Sequence, residues 1–205
     1  MSLIAEMIRY MAPDPVQQVR SLVAGIEPGD DLTGAHQAAA LDWLRRTQDV
    51  YRRVKPATPS PHLVSYFLLV DRATNTVLLC DHRLSGLWLP TGGHVEPEEN
   101  PVDTVRREVA EELGIKARFD VETGATPFFL TVTDTVGDPT TGHTDVSLWF
   151  ALEGHQGQAL YPDEREFKSV RWWTINELHA AAPDRLEPHL LRAISALKLS
   201  TATVN

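Results

Sequence analysis

The chain has 205 residues, of which 42% are hydrophobic and 23% charged, and a formal net charge of −9. This is enough for one domain with a full core plus an extension. No apolar run reaches membrane-spanning length, and the acidic balance argues against a dedicated binder of nucleic-acid polymers. The single cysteine, Cys80, excludes an internal disulfide and fits a reducing cytoplasm. The N-terminal MSLIAEMIRYMAPD has no basic segment followed by an apolar core, which argues against a secretory signal.

Residues 1 to about 55 read as helical. After the Pro13-Asp14-Pro15 break, Val16, Val19, Leu22, Val23 and Ile26 fit one helix face. A second helix is expected to follow Asp31 or Thr33, with Leu41, Leu44, Tyr51 and Val54 near heptad spacing. Asp42 with Arg46 and Asp49 with Arg53 would pair along its outer side. Pro56 to Pro61 is a linker by composition. The pattern then turns to strands: Val64–Val70, Thr76–Cys80 and Leu87–Leu89, the last leading into a Thr91-Gly92-Gly93 loop. Further strands are expected at Ala117–Val121, Phe128–Asp134, Asp145–Leu152 and Val170–Trp173. A helix over Thr174–Ala181, capped by Thr174 with Glu177, and another over Leu186–Leu197 close the chain.

Between the third and fourth of these strands lies GHVEPEENPVDTVRREVAEELGI, residues 93–115. Asn100 is a good N-cap, Pro101 suits the first helical position, and Gly114 suits a left-handed C-cap. A helix is therefore predicted from about Pro101 to Leu113, with Val102, Val105, Val109 and Leu113 as its buried stripe. Glu108, Glu111 and Glu112 stand at i, i+3 and i+4 and share another face. Three carboxylates on one face near a helix C-terminus repel one another and the helix dipole. A hard divalent cation, which takes oxygen ligands, removes that conflict. Arg107 lies four residues before Glu111 and can also reach back to Glu99, so it suits a role in holding the acidic cluster and the preceding loop.

The fixed positions Gly93, Glu99, Arg107, Glu108, Val109, Glu111, Glu112, Gly114 and Ile115 resemble the Nudix box without a mismatch. A match of this kind arises by chance in roughly one in ten million chains. The resemblance covers about residues 62–182. It implies an α/β Nudix fold, an α/β/α sandwich around a mixed sheet, here with an N-terminal helical extension over residues 1–60 and the Nudix domain over residues 61–205. It also implies a pyrophosphohydrolase dependent on Mg²⁺ or Mn²⁺. The substrate would be a nucleoside diphosphate linked to another group, a nucleoside triphosphate, or another small-molecule diphosphate. The catalytic set would be Glu108, Glu111, Glu112, Arg107 and Glu166. The metal ligands would be Glu108, Glu111, Glu112 and Glu166, with the backbone carbonyl near Gly93. A cytoplasmic location, no membrane or nucleic-acid partner, and a homodimer are compatible with this set.

Other residues are less specific. Glu164 competes with Glu166 as the loop carboxylate, and Glu99 suits a structural role. Where many family members carry Pro-Gly-Gly, this chain has Thr91-Gly92-Gly93, with Pro90 one place upstream. His94 suits either a phosphate contact or an exposed position, and His62, His82 and His143 have no ligand-like spacing. Cys80 reads as core; Trp88, Phe128, Phe129 and Trp149 suit core more than base stacking; Asp145 and Arg83 would flank the cleft. Two alternatives remain on the same fold. One is a ligand-sensing module without turnover, which the intact box disfavours. The other is a diphosphate isomerase, which would want a cysteine beside the glycine loop.

Overall fold

The computed structural model describes residues 14–55, 58–135 and 142–199, so residues 1–13 and two residues of the expected linker lie outside the description. Helix α1 (Pro15–Ala24) begins where the Asp14 side chain accepts the Val16 amide. Helix α2 (Asp31–Arg46) begins in the same way at Asp30, which takes both the amide and the hydroxyl of Thr33. It ends at Arg46, with Thr47 already extended, so Tyr51 and Val54 do not continue its stripe. Tyr51 is buried from an irregular segment, and Val54 is exposed. Asp42 pairs with Arg46 on the helix; Asp49 pairs with Arg53 at 2.7 Å outside any helix.

Seven strands form one mixed sheet: β1 (His62–Asp71), β2 (Thr76–His82), β3 (Trp88–Leu89), β4 (Thr91–His94), β5 (Phe129–Asp134), β6 (Thr144–Glu153) and β7 (Phe167–Thr174). Strand β1 is buried on both faces, which explains its near-continuous apolar run. Strand β6 lies parallel to it from His62–Asp145 to Val70–Glu153. The other edge of β1 is shared: β4 pairs antiparallel with Val64–Phe67, and β2 with Val70–Asp71. The sheet forks there, because β2 leaves β1 to pair with β7 and β3. Strand β5 closes the far side against β6.

Alternation along β6 sends Leu148, Phe150 and Leu152 to one face and Trp149 and Ala151 to the other. Over the first face pack α1, α2 and α3 (Pro101–Leu113), through Val19, Val23, Ala40, Leu44, Val105, Val109 and Leu113. Over the second pack α4 (Ile175–Ala180) and α5 (Leu190–Ala196), through Leu178, Leu190, Ala193 and Ile194. Full burial of each valine, leucine or isoleucine among them contributes about 1.5–3 kcal/mol. The result is the expected α/β/α sandwich around a mixed sheet. Among the described residues no helix is long and apolar enough to cross a membrane.

Three sequence expectations are corrected. The segment Thr91–His94 is a strand, not a loop. Residues 117–121 make only an isolated bridge, Phe119 to Leu152. The span 186–197 is not one helix: a 3₁₀ turn, Pro183–Arg185, precedes an extended Leu186, and α5 starts at Leu190.

Candidate active site

Helix α3 has the bounds its sequence predicts. The Asn100 side chain accepts the amides of Val102 and Asp103, each at 3.0 Å, and Gly114 closes the helix with φ 67°. Val105, Val109 and Leu113 are fully buried, which fixes the rotation of the helix and turns Glu108 and Glu112 toward β4. The Ser65 hydroxyl donates to the Pro101 carbonyl at 3.1 Å and ties the start of α3 to β1.

The two glycines of β4 make the close approach possible. Gly92 has φ +152°, and a Cβ there would lie 2.3 Å from the Ser65 carbonyl oxygen. A Cβ on Gly93 would lie 1.9 Å from Glu108 Oε1, so the carboxylate occupies the space a side chain would need. The Gly92 amide donates to Glu112 Oε2 at 2.9 Å. Helix and strand therefore meet through two carboxylates and two side-chain-free residues.

Arg107 organises the rest. It forks onto Glu99 through Nε (3.0 Å) and Nη2 (2.9 Å), and its Nη1 reaches Glu108 Oε1 at 2.6 Å and Glu111 Oε2 at 3.5 Å. Nη2 also donates to the His94 carbonyl at 3.2 Å, which holds the end of β4. Burial opposes the charge on Glu99, but the bonds from Arg107 and from the Thr104 hydroxyl (2.7 Å) prevail and hold it below the usual carboxylate range. Glu99 is thus structural, as its position suggested.

Glu166 reaches the site by a route the sequence does not display. The amides of Tyr161 and Asp163 donate to the Leu113 and Glu112 carbonyls, each at 2.9 Å, capping the C-terminus of α3. The Arg83 amide then donates to the Glu166 carbonyl at 2.8 Å, and Arg83 Nε to the Glu164 carbonyl at 2.7 Å. Arg83 is therefore a fastener for this loop. The Glu166 side chain acts electrostatically on both Glu108 and Glu112.

Glu112 is 5% exposed and makes no ion pair among the described residues. Burial first, then the charges of Glu108 and Glu166, push it up to about 9. Glu108 is also raised, chiefly by burial, although Arg107 opposes this. Glu111 stands further out, with its side chain 61% exposed. A set of oxygen donors whose bonded arginine, Arg107, is committed largely to Glu99 fits a hard divalent cation.

The remaining candidates sort clearly. Phe129 and Trp149 are core. Phe128 lines a 730 Å³ cleft between the α1–α2 connection and α5, which no residue of the acidic box lines. Trp88 packs edge-on against Trp173. Cys80 is buried in β2, its thiol pushed up by burial, and offers no nucleophile. His82 is bonded to Ser85, as an ordinary surface histidine. The expectation for the other histidines needs correction. His62, His94 and His143 converge with Asp145 into one cluster, all four ligand atoms lying within 4.8 Å of one another. His94 is neither exposed nor aimed at open solvent; burial first, then Arg52, holds its imidazole down at about 4. Sequence spacing hides the cluster, because the parallel register of β1 and β6 alone sets His62 opposite Asp145.

A carboxylate set on a helix facing a glycine strand of an α/β/α sandwich defines a hydrolase of the Nudix type. The NUDIX domain profile matches residues 60–196, and the chain belongs to the Nudix family of hydrolases. Among solved structures it is similar to a NUDIX-family hydrolase from Clostridium perfringens, with 23% identity over 67% of this chain and 97% of that one, TM-score 0.48. It is also similar to a MutT NUDIX hydrolase from Burkholderia pseudomallei, with 20% identity over 66% and 97%, TM-score 0.48. The dihydroneopterin triphosphate pyrophosphohydrolase of E. coli is similar with 16% identity over 68% and 96%, TM-score 0.49. Among curated proteins no significant match is found.

Proposed function

We propose that this chain hydrolyses a pyrophosphate bond in a nucleoside diphosphate linked to another group, or in a nucleoside triphosphate, with Mg²⁺ or Mn²⁺ as cofactor. The observation that carries the reading is the buried Glu112 carboxylate, set against Glu108 and Glu166 without a cationic partner among the described residues. Glu108, Glu111, Glu112 and Glu166, with the carbonyl near Gly93, would hold the cation. A bound divalent cation acidifies water and offsets charge on phosphoryl oxygens.

The chain's own residues supply the remainder. Arg107 keeps Glu108 and the end of β4 in register, so the donors are already in place when substrate arrives. Gly92 and Gly93 let β4 lie close against β1 and the Glu108 carboxylate, which keeps the donors beside the strand. Glu166, on a loop fastened by Arg83, would serve either as a ligand of the cation or as the acceptor of the attacking water's proton. Residues 61–205 carry the chemistry in this reading, and residues 1–60 the packing extension. The partner is a small-molecule diphosphate, the location cytoplasmic, and the assembly a homodimer.

The test is phosphate or pyrophosphate release from a panel of nucleoside diphosphate derivatives and nucleoside triphosphates, with Mg²⁺ and with Mn²⁺. Glu112→Gln should lower turnover by about 10²–10³-fold or more while nucleotide binding persists. Full activity in that variant, or binding without release across the panel, would overturn the reading; the second outcome would favour a sensing module.

A further inference from the structure

His62, His94, His143 and Asp145 form a second cluster of donor atoms, beside the acidic box but separate from it in chemistry: imidazole nitrogen in place of carboxylate oxygen. His62 opens β1, His94 ends β4, and His143 and Asp145 flank the start of β6. His62 and Asp145 face each other in the β1–β6 register, and His94 lies opposite Val64 in the β1–β4 register. Three strand ends thus meet at one point.

The point lacks an atom. His62 is fully buried, and its Nδ1 lies 2.6 Å from the Pro59 carbonyl oxygen. A carbonyl only accepts, so Nδ1 carries the hydrogen, and in the neutral ring Nε2 presents its lone pair to the cluster. What it meets is another acceptor, Asp145 Oδ1, at 3.1 Å. His143 Nε2 lies 3.3 Å and His94 Nε2 3.8 Å from the same oxygen. His62 Nε2, His94 Nε2 and Asp145 Oδ1 are all buried without a hydrogen-bond partner. Orphaned polar atoms are rare in a folded interior, and three converging on one spot point to a missing cation.

The distances suit that cation. Four-coordinate zinc with bonds near 2.0–2.1 Å sets its ligand atoms about 3.3 Å apart. Two of the three separations from Asp145 Oδ1 are close to that value, and all four donors lie within 4.8 Å of one another. The outer contacts are those of metal-binding histidines. His62 donates Nδ1–H to the Pro59 carbonyl, and His143 Nδ1 lies 3.2 Å from the Thr135 hydroxyl, so both rings are turned with Nε2 inward.

We propose that these four residues bind one zinc ion in a closed N₃O site that staples the ends of β1, β4 and β6. Four protein ligands leave no open position, so the ion is structural. Its effect on the neighbouring active site is direct, because His94 follows Gly93 and its carbonyl is the one Arg107 holds. Arg52 interacts electrostatically with Glu96, Asp145 and Glu108, and so with members of both clusters.

The experiment uses the full chain, stripped with a chelator and then given Zn²⁺ alone or Co²⁺ alone, with bound metal measured after dialysis. One zinc per chain should remain. It should also remain in a Glu108→Gln/Glu112→Gln double variant, which disables the acidic box. His143→Ala and Asp145→Ala should each weaken zinc binding by about 100-fold or more. Cobalt in the wild-type chain should give the intense visible absorption of a four-coordinate ion. No retained zinc, equal retention in the histidine variant, or the pale spectrum of six-coordinate cobalt would each overturn the proposal. Should the variants fold poorly, the wild-type cobalt spectrum decides. None of these readouts depends on turnover, so they stand or fall apart from the hydrolase reading.

Discussion

Gly92 and Gly93 are neighbours, yet alanine should fail differently at each. At Gly92 the new Cβ meets backbone, 2.3 Å from the Ser65 carbonyl oxygen, at a φ that L-residues rarely adopt. The strand must shift, and Gly92→Ala should destabilise the fold by about 2–4 kcal/mol. At Gly93 the Cβ meets only the end of the Glu108 side chain, 1.9 Å from Oε1. That side chain can swing aside, so Gly93→Ala should unfold within about 1 kcal/mol of wild type in urea. Its turnover should nevertheless fall by about 10²-fold, because Glu108 has left its place. Equal stability losses at the two positions would refute this division. A second residue-scale prediction concerns Glu187, which accepts the His189 amide at 2.7 Å just before α5. Burial pushes it from 4.5 up to about 7. Folding therefore favours its protonated form: that contribution is full below about 4.5, declines as pH rises, and is gone above about 7. Glu187→Gln should flatten the fall in stability across this window, by at most about 3 kcal/mol. Urea midpoints of both proteins from pH 4 to 8 would check it; parallel curves would sink the idea.

At the scale of elements, α3 was the most legible part of the chain because every signal for it is local. Asn100, Pro101, Gly114 and the valine stripe all act within one helix, and the observed bounds agree. The same holds for α4, whose Thr174–Glu177 capping box forms as the sequence implies. Strand β4 reads as a loop in the sequence because Thr-Gly-Gly-His has almost no side-chain pattern; its partner β1 makes it a strand. Residues 117–121 carry strand-like side chains, but they bond to β6 only at its end, past its pairing with β5, around the Phe119–Leu152 bridge. In the site, the carboxylates of α3 could be read from their spacing. The histidine cluster could not, since the β1–β6 and β1–β4 pairings together assemble it. A local signal also gives a local prediction. Asn100→Ala removes the acceptor for two amides and should cost about 1 kcal/mol, read from the urea midpoint. Turnover should change little, because Val105, Val109 and Leu113 still set the rotation of the helix.

For the molecule as a whole the open matter is what α1 and α2 do. They contribute Val19, Val23, Ala40 and Leu44 to the same apolar cluster as Leu63, Phe67 and Val109. Polar ties run the same way. Arg192 of α5 forks onto Asp30 at 2.9 and 2.7 Å, the Leu63 amide donates to the Val50 carbonyl at 2.8 Å, and the Tyr51 hydroxyl donates to the Glu99 carbonyl at 3.3 Å. Exposed ion pairs such as the first contribute little, about 0–1 kcal/mol. The apolar contacts should dominate. Leu44, 2% exposed, is the discriminating residue. Leu44→Ala should cost about 2–5 kcal/mol, through lost transfer energy and the cavity left behind. The form of the transition carries more information than its midpoint. If the helices are one packed layer of the sandwich, the variant keeps a single cooperative transition, and fluorescence and far-ultraviolet circular dichroism report the same midpoint. If they form a unit that folds apart from the sheet, Leu44→Ala moves only an early phase, and the two probes separate. Arg192→Ala is the control, since it breaks a polar tie of α2, the one that joins Asp30 to α5, and its midpoint should move by less than a third as much.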